Sequence, residues 1–416
     1  MPSAEGVGAR RAALQLLDSV LRRGHTLDAA AAHVRNLSPA DRGLAVAIAG
    51  EVLRRIPDLD ALIDSATRQP LPDDSKARMV LRIALVQKIG LGTPDHALVA
   101  TALALVDGGP RRLVHGVLGT LLRRGLPEME SPHLPREVQQ RWHAAWGEDV
   151  VEASRRQIAK RPPLDLTFAD EDEAKAYAAE HGGVSLAPNH VRLQSSSVAE
   201  LPGFEDGRWW VQDLAASLPA RLIPGEARHV LDLCAAPGGK TMQLAGAGHQ
   251  VTAVDSSESR LGRLRENLQR TRLDASLVAA DALKWKPGSA FDAILLDAPC
   301  SATGTFRRHP EVLYRARPKI IGDNAALQSQ LLDRAANWLK PGGTLVYSVC
   351  SLEPQEGEAV IERFLGERDD FALEPSPSWG GLGGGASAAV ADDAIRDLSG
   401  RRRGPPPSNL LHEGGG

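Results

Sequence analysis

Cysteine is scarce in this sequence: Cys234, Cys300 and Cys350 are the three among 416 residues. Thiols so far apart form neither a disulfide framework nor a metal-ligand cluster. That excludes a small secreted scaffold and points to a reduced, cytoplasmic protein. Aromatic residues make up 4% of the chain, too few for a surface that grips single strands mainly by stacking. No uninterrupted apolar run is long enough to span a bilayer, and "MPSAEGVGARR" lacks the apolar stretch of a signal peptide. An excess of one charge is missing too. The formal net charge is −3, so any nucleic-acid contact has to come from a local basic patch.

What remains is the composition of a soluble globular protein, 43% apolar and 24% charged, long enough for two or three domains. Residues 8–125 run as helix after helix ("RRAALQLLDSVLRRG", "ADRGLAVAIAGEVLRRI", "KARMVLRIALVQKIGLG", "RRLVHGVLGTLLRRG"), with apolar residues at three- and four-residue steps. An all-α domain over 1–126 is expected. Arginines recur on its polar faces: Arg10, Arg11, Arg22, Arg23, Arg54, Arg55, Arg123 and Arg124. They read as solvated faces, with an RNA-facing patch as the alternative.

Residues 127–210 read as a connector, "SPHLPREVQQRWHAAWG" and a charged helix. It is followed by a small α/β subdomain built from "PPLDLTF", "HVRLQ", "GRWWVQD" and the helix "DEAKAYAAEHGG". Over 211–373 the strands "HVLDLC", "QVTAVD", "ASLVAAD", "FDAILLD" and "GTLVYSVC" alternate with helical stretches. That is the pattern of βαβ units, hence an α/β, Rossmann-like domain with a parallel sheet. Ligands in such sheets sit beyond the carboxyl ends of the strands. Residues 374–416, rich in Gly, Pro, Ala and Arg, read as an irregular tail.

The chemistry-bearing residues cluster at those strand ends. "VLDLCAAPGGKT" (230–241) is a strand, a glycine turn and a helix start. As a phosphate-cradling loop it fails, because Cys234 takes the first glycine position and Pro237 removes a backbone N–H. It suits a nucleoside ligand without a pyrophosphate. Gly238 and Gly239 allow close approach of the backbone, and Asp232 can face the ligand's amine. Asp255, ending the next strand, can accept two ribose hydroxyls. Asp281, one strand further, can meet an adenine amino group. Together, residues 234–240, Asp255 and Asp281 outline an S-adenosylmethionine site.

"ILLDAPCS" and "LVYSVCSLEP" end the next two strands in cysteines. If those strands are neighbours, Cys300 and Cys350 emerge side by side. A methyl donor beside two thiols points to a carbon acceptor that is not nucleophilic by itself, such as pyrimidine C5. Thiolate addition at C6 makes C5 an enamine carbon able to take the methyl group. Asp297 can bind the cytosine N3/N4 edge and Lys240 its O2. Spacing alone is compatible with either thiol as the nucleophile. Arg307, Arg308 and His309 lie close enough in sequence to meet phosphates.

These motifs, "VQDLAAS", "DLCAAPGGKT", "VDSSESRLGRLRENLQR", "DAPCSATGTFRRHPEV" and "YSVCS", come in order. The chain resembles the Fmu/Sun (RsmB-type) ribosomal-RNA cytosine-5 methyltransferases of the Nol/Nop/Sun group over roughly residues 8–370. The helical N-terminal region is similar to the NusB-like RNA-binding domain that Sun members carry. The resemblance implies Cys350 as nucleophile, Cys300 as the release cysteine, and Asp297 and Lys240 at the cytosine. It also implies 234–240 (Cys234, Ala235, Ala236, Pro237, Gly238, Gly239, Lys240), Asp255, Arg260, Asp281 and Asp297 at the cofactor. In DNA cytosine-5 methyltransferases the Pro-Cys thiol attacks, which here would be Cys300. The expected substrate is a cytosine of 16S rRNA, and the expected state a monomer with no membrane partner and no metal.

Three departures stand out. Val349 replaces the family's usual Thr, Ser217 a usual Gln, and the terminal Asp-Gly-Phe-Phe strand is absent where the sequence reads "LLHEGGG". The last of these opens an alternative, a non-catalytic RNA-binding ribosome-assembly factor derived from such an enzyme.

Overall fold

A computed structural model describes residues 6–374, apart from 35, 130, 195–197, 199 and 200. The tail, with the stretch where the family's terminal strand is expected to be missing, lies outside the described residues.

Six helices open the chain: α1 (Val7–Arg23), α2 (Leu27–Ala32), α3 (Pro39–Ser65), α4 (Lys76–Leu91), α5 (Asp95–Leu103) and α6 (Gly108–Arg124). Their starts are written in the sequence. Thr26, Ser38 and Ser75 each accept a backbone N–H of the first turn, and Gly24 and Gly92 close α1 and α4 in the left-handed conformation. Leu16, Leu17, Leu53, Leu59, Leu81 and Leu118 stand in one apolar core, whose burial drives the packing. Two arginines of α4 are buried beneath α3. Arg82 makes a fork to Asp60 at 2.7 Å through both nitrogens, and Arg78 reaches Asp64 at 2.7 Å.

The connector is more than a spacer. Helices α7 (Arg136–Trp146) and α8 (Glu148–Ile158) share a core with Phe306, Val312, Leu313 and Leu352 of the later domain. Next come β1 (Leu164–Phe168), α9 (Glu171–His181), β2 (His190–Leu193) and β3 (Trp209–Val211). They form an antiparallel sheet of order β2-β1-β3 with α9 against it. Its anchor is Asp165, fully buried, which receives both Arg192 nitrogens and the N–H of Leu214. Those bonds hold its pKa far below the usual carboxylate range against the opposing effect of burial.

After the short α10 (Leu214–Ser217), the larger sheet comprises β4 (His229–Leu233), β5 (Gln250–Asp255), β6 (Ser276–Ala279), β7 (Phe291–Asp297) and β8 (Leu339–Ser348). All pairs are parallel, in the order β6-β5-β4-β7-β8. The helices α11 (Gly239–Gly246), α12 (Glu258–Thr271), α13 (Val312–Arg315), α14 (Pro318–Ala336) and α15 (Glu358–Glu367) complete the domain. Strand order reverses at β4, so a crevice opens beyond the carboxyl ends of β4 and β7.

The basic stretch after β7 has a different role from the one its charge suggests. Arg307 and Arg308 both reach Asp213, at 3.2 and 2.9 Å, and Arg308 also donates to the Pro163 carbonyl. The segment around them is the joint to the helical domain. Tyr314 donates to the Leu53 carbonyl at 2.8 Å, Arg315 to that of Gly24 at 2.8 Å, and Glu311 accepts the Leu27 N–H at 3.0 Å. Arg54 crosses the same joint to the carbonyls of Ile158 and Arg307, while Arg55 donates to that of Met129. Arg54 and Arg55, expected on a solvated or RNA-facing surface, are therefore structural. Their polar ends meet carbonyls from other parts of the chain, which residue spacing does not reveal.

Candidate active site

The glycine turn between β4 and α11 is shaped by close packing. Gly238 has φ 108°, and a Cβ there would stand 2.1 Å from Leu264 Cδ1. Beneath Gly239 lies Gln212, fixed by the Trp210 indole N–H at 2.9 Å and by its own bond to Gln243 Oε1 at 2.9 Å. The sequence motif around Gln212 is thus the floor of the loop. Gly238→Ala combines a left-handed backbone with this collision and should cost about 1–3 kcal/mol locally. Titration calorimetry with S-adenosylmethionine is expected to show a Kd weaker by about tenfold or more, since about 1.4 kcal/mol of that cost is one decade in affinity; unchanged affinity would contradict the close fit.

Asp255 at the end of β5 holds the turn from the other side. Its oxygens accept the N–H groups of Ala236 at 3.1 Å and Ser257 at 2.9 Å, and Arg260 stands 3.4 Å away. Arg260 also donates to the Ala236 carbonyl. The carboxylate expected to meet ribose hydroxyls is 2% exposed and already fixes backbone; the oxygen that accepts the Ser257 N–H keeps a lone pair for a further donor. Asp281 lies beyond β6, exposed, accepting the Leu283 N–H at 2.9 Å and pairing with Lys284 at 3.4 Å. Its side chain bonds to neighbours in its own loop.

The surroundings of Cys234 and Asp232 both favour the protonated form. Burial, with Asp255 and Asp297 adding, pushes the Cys234 thiol up to about 12, so it is no nucleophile at neutral pH. Burial likewise pushes Asp232 up to about 7; Thr241 donates to one oxygen at 2.6 Å and the other oxygen has no partner among the described residues. A carboxyl raised from 3.8 to about 7 binds its proton more tightly in the folded chain. Its contribution to stability is present below the lower value and lost as pH rises through the upper one. Asp232→Asn should therefore raise Tm by roughly a few degrees above neutrality. That gain should shrink toward nothing in acid, as scanning calorimetry across pH would show.

The thiols meet as the strand pairing requires. Asp297 pairs with Ser348 in the β7–β8 register, and the Cys300 and Cys350 sulfurs lie 3.4 Å apart. Beside them Lys240 donates to Asp297 at 2.8 Å and Ser348 to its other oxygen at 3.1 Å. The hydrogen bond from Cys300 lowers the Cys350 pKa, and the Lys240 ammonium acts in the same direction. That bond and burial together raise Cys300 well above the ordinary thiol value. Either sulfur can donate across this contact; the opposed shifts favour Cys350 as the thiolate-prone partner.

A buried carboxylate that sequence reading missed clamps both cysteine loops. Glu356, with no exposed surface, accepts the Ser301 N–H at 2.8 Å, the Ser301 and Ser351 hydroxyls, and the Asn324 amide at 2.8 Å. The Gly304 N–H donates to the Cys350 carbonyl at 3.0 Å. Glu353 does similar work toward α7. It takes Arg141 on both oxygens, at 2.9 and 3.1 Å, and the Trp142 indole at 3.2 Å, while Trp146 donates to the Leu352 carbonyl at 2.8 Å. The sequence signal for both was the run of acids directly after "YSVCS". Arg141→Met leaves Glu353 buried without its ion partner, a loss of about 3 kcal/mol. Urea unfolding should show it, together with slower methyl transfer and unchanged cofactor affinity.

Val349 packs into the sheet core. Ser217, fully buried, donates to the Leu214 carbonyl at 2.7 Å and accepts Gln243 on its own carbonyl at 2.9 Å.

A parallel sheet reversing at β4, a glycine turn at that strand's carboxyl end and acids on the next strands define a Rossmann-like S-adenosylmethionine-dependent methyltransferase. The family model described as 16S rRNA methyltransferase RsmB/F matches residues 219–392, and the NusB family model residues 8–123. The ribosomal RNA small subunit methyltransferase B of Xanthomonas campestris pv. campestris is 36% identical over 92% of this chain and 93% of its own length. That of Erwinia tasmaniensis is 34% identical, over 87% and 90%. The solved structure of PH0851, 23% identical, shares the fold over 92% of this chain and 95% of its own, with a TM-score of 0.68. The chain belongs to the RsmB/F family of 16S rRNA methyltransferases. It is an S-adenosylmethionine-dependent rRNA methyltransferase with a NusB-type helical domain. The reading as a non-catalytic assembly factor gives way to that of an enzyme.

Proposed function

We propose that the methyl acceptor is C5 of a cytosine in 16S rRNA, reached through a covalent adduct with Cys350. The observation that carries this reading is the thiol pair, 3.4 Å apart, beside the Lys240–Asp297 pair at 2.8 Å. The cradle of Gly238, the buried Asp232 oxygen without a partner among the described residues and the Asp255-held turn fit S-adenosylmethionine. Residues 234–240, Asp255, Arg260 and Asp281 would hold it, and it supplies an electrophilic methyl group on a sulfonium.

In this reading the Cys350 thiolate adds to C6 while Asp297 and Lys240 bind the N3/N4 edge and O2. The electron pair pushed onto C5 takes the methyl group. Once Cys350 is a thioether its charge is gone, and with it the acceptor that held the Cys300 proton. The Cys300 pKa then falls, its proton passes to solvent, and the thiolate so formed can remove the C5 proton. The C5–C6 double bond reforms and the Cys350 thiolate leaves. The opposed starting states of the two thiols follow from one hydrogen bond, and they suit these two tasks.

The division at 126, 210 and 373 is proposed as that of the working units, acting as a monomer in the cytoplasm. Scarce cysteine agrees with a reducing compartment, and no helix among the described residues is long and apolar enough to cross a membrane. Incubation with methyl-labelled cofactor and 16S rRNA lacking its modifications, followed by mapping of the label, tests the acceptor. Label in 5-methylcytosine is expected; label on an exocyclic amine or a ribose would overturn the assignment.

A further inference from the structure

We propose that Cys300 and Cys350 form a reversible intramolecular disulfide when the protein meets a hydroperoxide, making the thiol pair a modification site as well as a catalytic one. The sulfurs are 3.4 Å apart, so the bond length of about 2.0 Å needs a further approach of only about 1.4 Å. Both side chains leave adjacent parallel strands just past the Asp297–Ser348 pair. Neighbouring strands run about 4.8 Å apart, within the range of roughly 4.4–6.8 Å that disulfide-linked Cα atoms span. The loops are already tied together by Glu356, by Gly304 N–H on the Cys350 carbonyl at 3.0 Å and by Leu352 N–H on Thr303 Oγ1 at 2.9 Å. Little chain entropy is therefore lost on closure.

Access divides the two steps between the two thiols. Cys350 is exposed and Cys300 half-buried. The outer thiol is also the one with the lowered pKa, so it reacts first. The Cys350 thiolate attacks a peroxide oxygen; the O–O bond breaks, the alkoxide or hydroxide released takes up a proton, and a sulfenic acid remains on Cys350. The Cys300 sulfur attacks that sulfur. The S–S bond forms, the S–O bond breaks, and the departing hydroxide leaves as water with the Cys300 proton. The two sulfurs together lose two electrons, and the peroxide gains them. Cys234, half-buried in the glycine turn with its pKa pushed up to about 12, takes no part.

The effect on activity rests on the cysteine roles proposed above; the linkage itself does not. The test treats the full chain with hydrogen peroxide and digests it without reductant. Expected are a peptide pair joined through Cys300 and Cys350, one free thiol remaining per chain at Cys234, and loss of methyl transfer that a dithiol reductant restores. In Cys300→Ser the same treatment should leave a sulfenic acid on Cys350, trapped by a cyclic 1,3-diketone. Sulfinic acid on Cys350 with Cys300 still reduced, a link to Cys234, a link between two chains, or no reaction would each overturn the proposal. If the Cys300–Cys350 link forms but Cys350→Ala still methylates RNA, the modification site stands and the catalytic assignment falls.

Discussion

Cys350→Ala is expected to abolish methyl transfer to rRNA, by about 10⁴-fold or more, the scale on which loss of an attacking nucleophile is felt. Cofactor affinity stays unchanged, because the bonds that hold the glycine turn and Asp255 do not run through Cys350. The wild-type rate should fall as pH falls, since protonation removes the attacking thiolate. The inflection should lie below the ordinary thiol value, because the Cys300 hydrogen bond, aided by Lys240, lowers Cys350. Single-turnover rates across pH, with cofactor affinity measured alongside, check both points. A profile that rises only at the ordinary thiol pKa would remove Cys350 from its role.

Cys300→Ala should stop the reaction one step later. Methyl transfer to the adduct proceeds, but the thiol that hydrogen-bonds the Cys350 sulfur is then gone, and elimination lacks its base. One methyl group per enzyme should enter RNA and stay there, joined to the protein, as a band that survives denaturing electrophoresis. The double variant Cys300→Ala/Cys350→Ala should give no band. Removing Cys300 also removes the largest influence lowering Cys350, so adduct formation itself should shift to higher pH. Rapid turnover by Cys300→Ala, without an adduct, would exchange or dissolve the two roles.

Much of this site could be read in the sequence because its parts are local. Apolar strands ending in Asp255, Asp297 and Ser348, and a glycine turn after β4, are short-range patterns. A parallel sheet converts them into neighbours, so the meeting of Cys300 with Cys350 follows from the adjacency of β7 and β8. What spacing could not show were partners far away along the chain. Arg307 and Arg308 look like phosphate ligands until Asp213 is seen to hold both. Arg141 looks like a solvated connector residue, yet it neutralises Glu353, 212 residues away. The connector helices read as a linker because their apolar stripe is short. That stripe is completed by Phe306 and Leu352 from another domain. Burial also altered single residues: Asp232 and Cys234 are ordinary letters in the sequence, and the surrounding protein shifts both toward their protonated forms.

The central claim is that the thiol after β8 attacks and the thiol after β7 releases. RNA carrying 5-fluorocytosine tests it in the unaltered protein, because fluorine at C5 cannot leave as a proton does and the adduct persists. The complex formed with 16S rRNA transcribed from 5-fluorocytidine triphosphate, in the presence of S-adenosylmethionine, is digested and its nucleotide-bearing peptide sequenced by mass spectrometry. The account predicts a modified cytosine joined through C6 to Cys350. A nucleotide on Cys300 would contradict it.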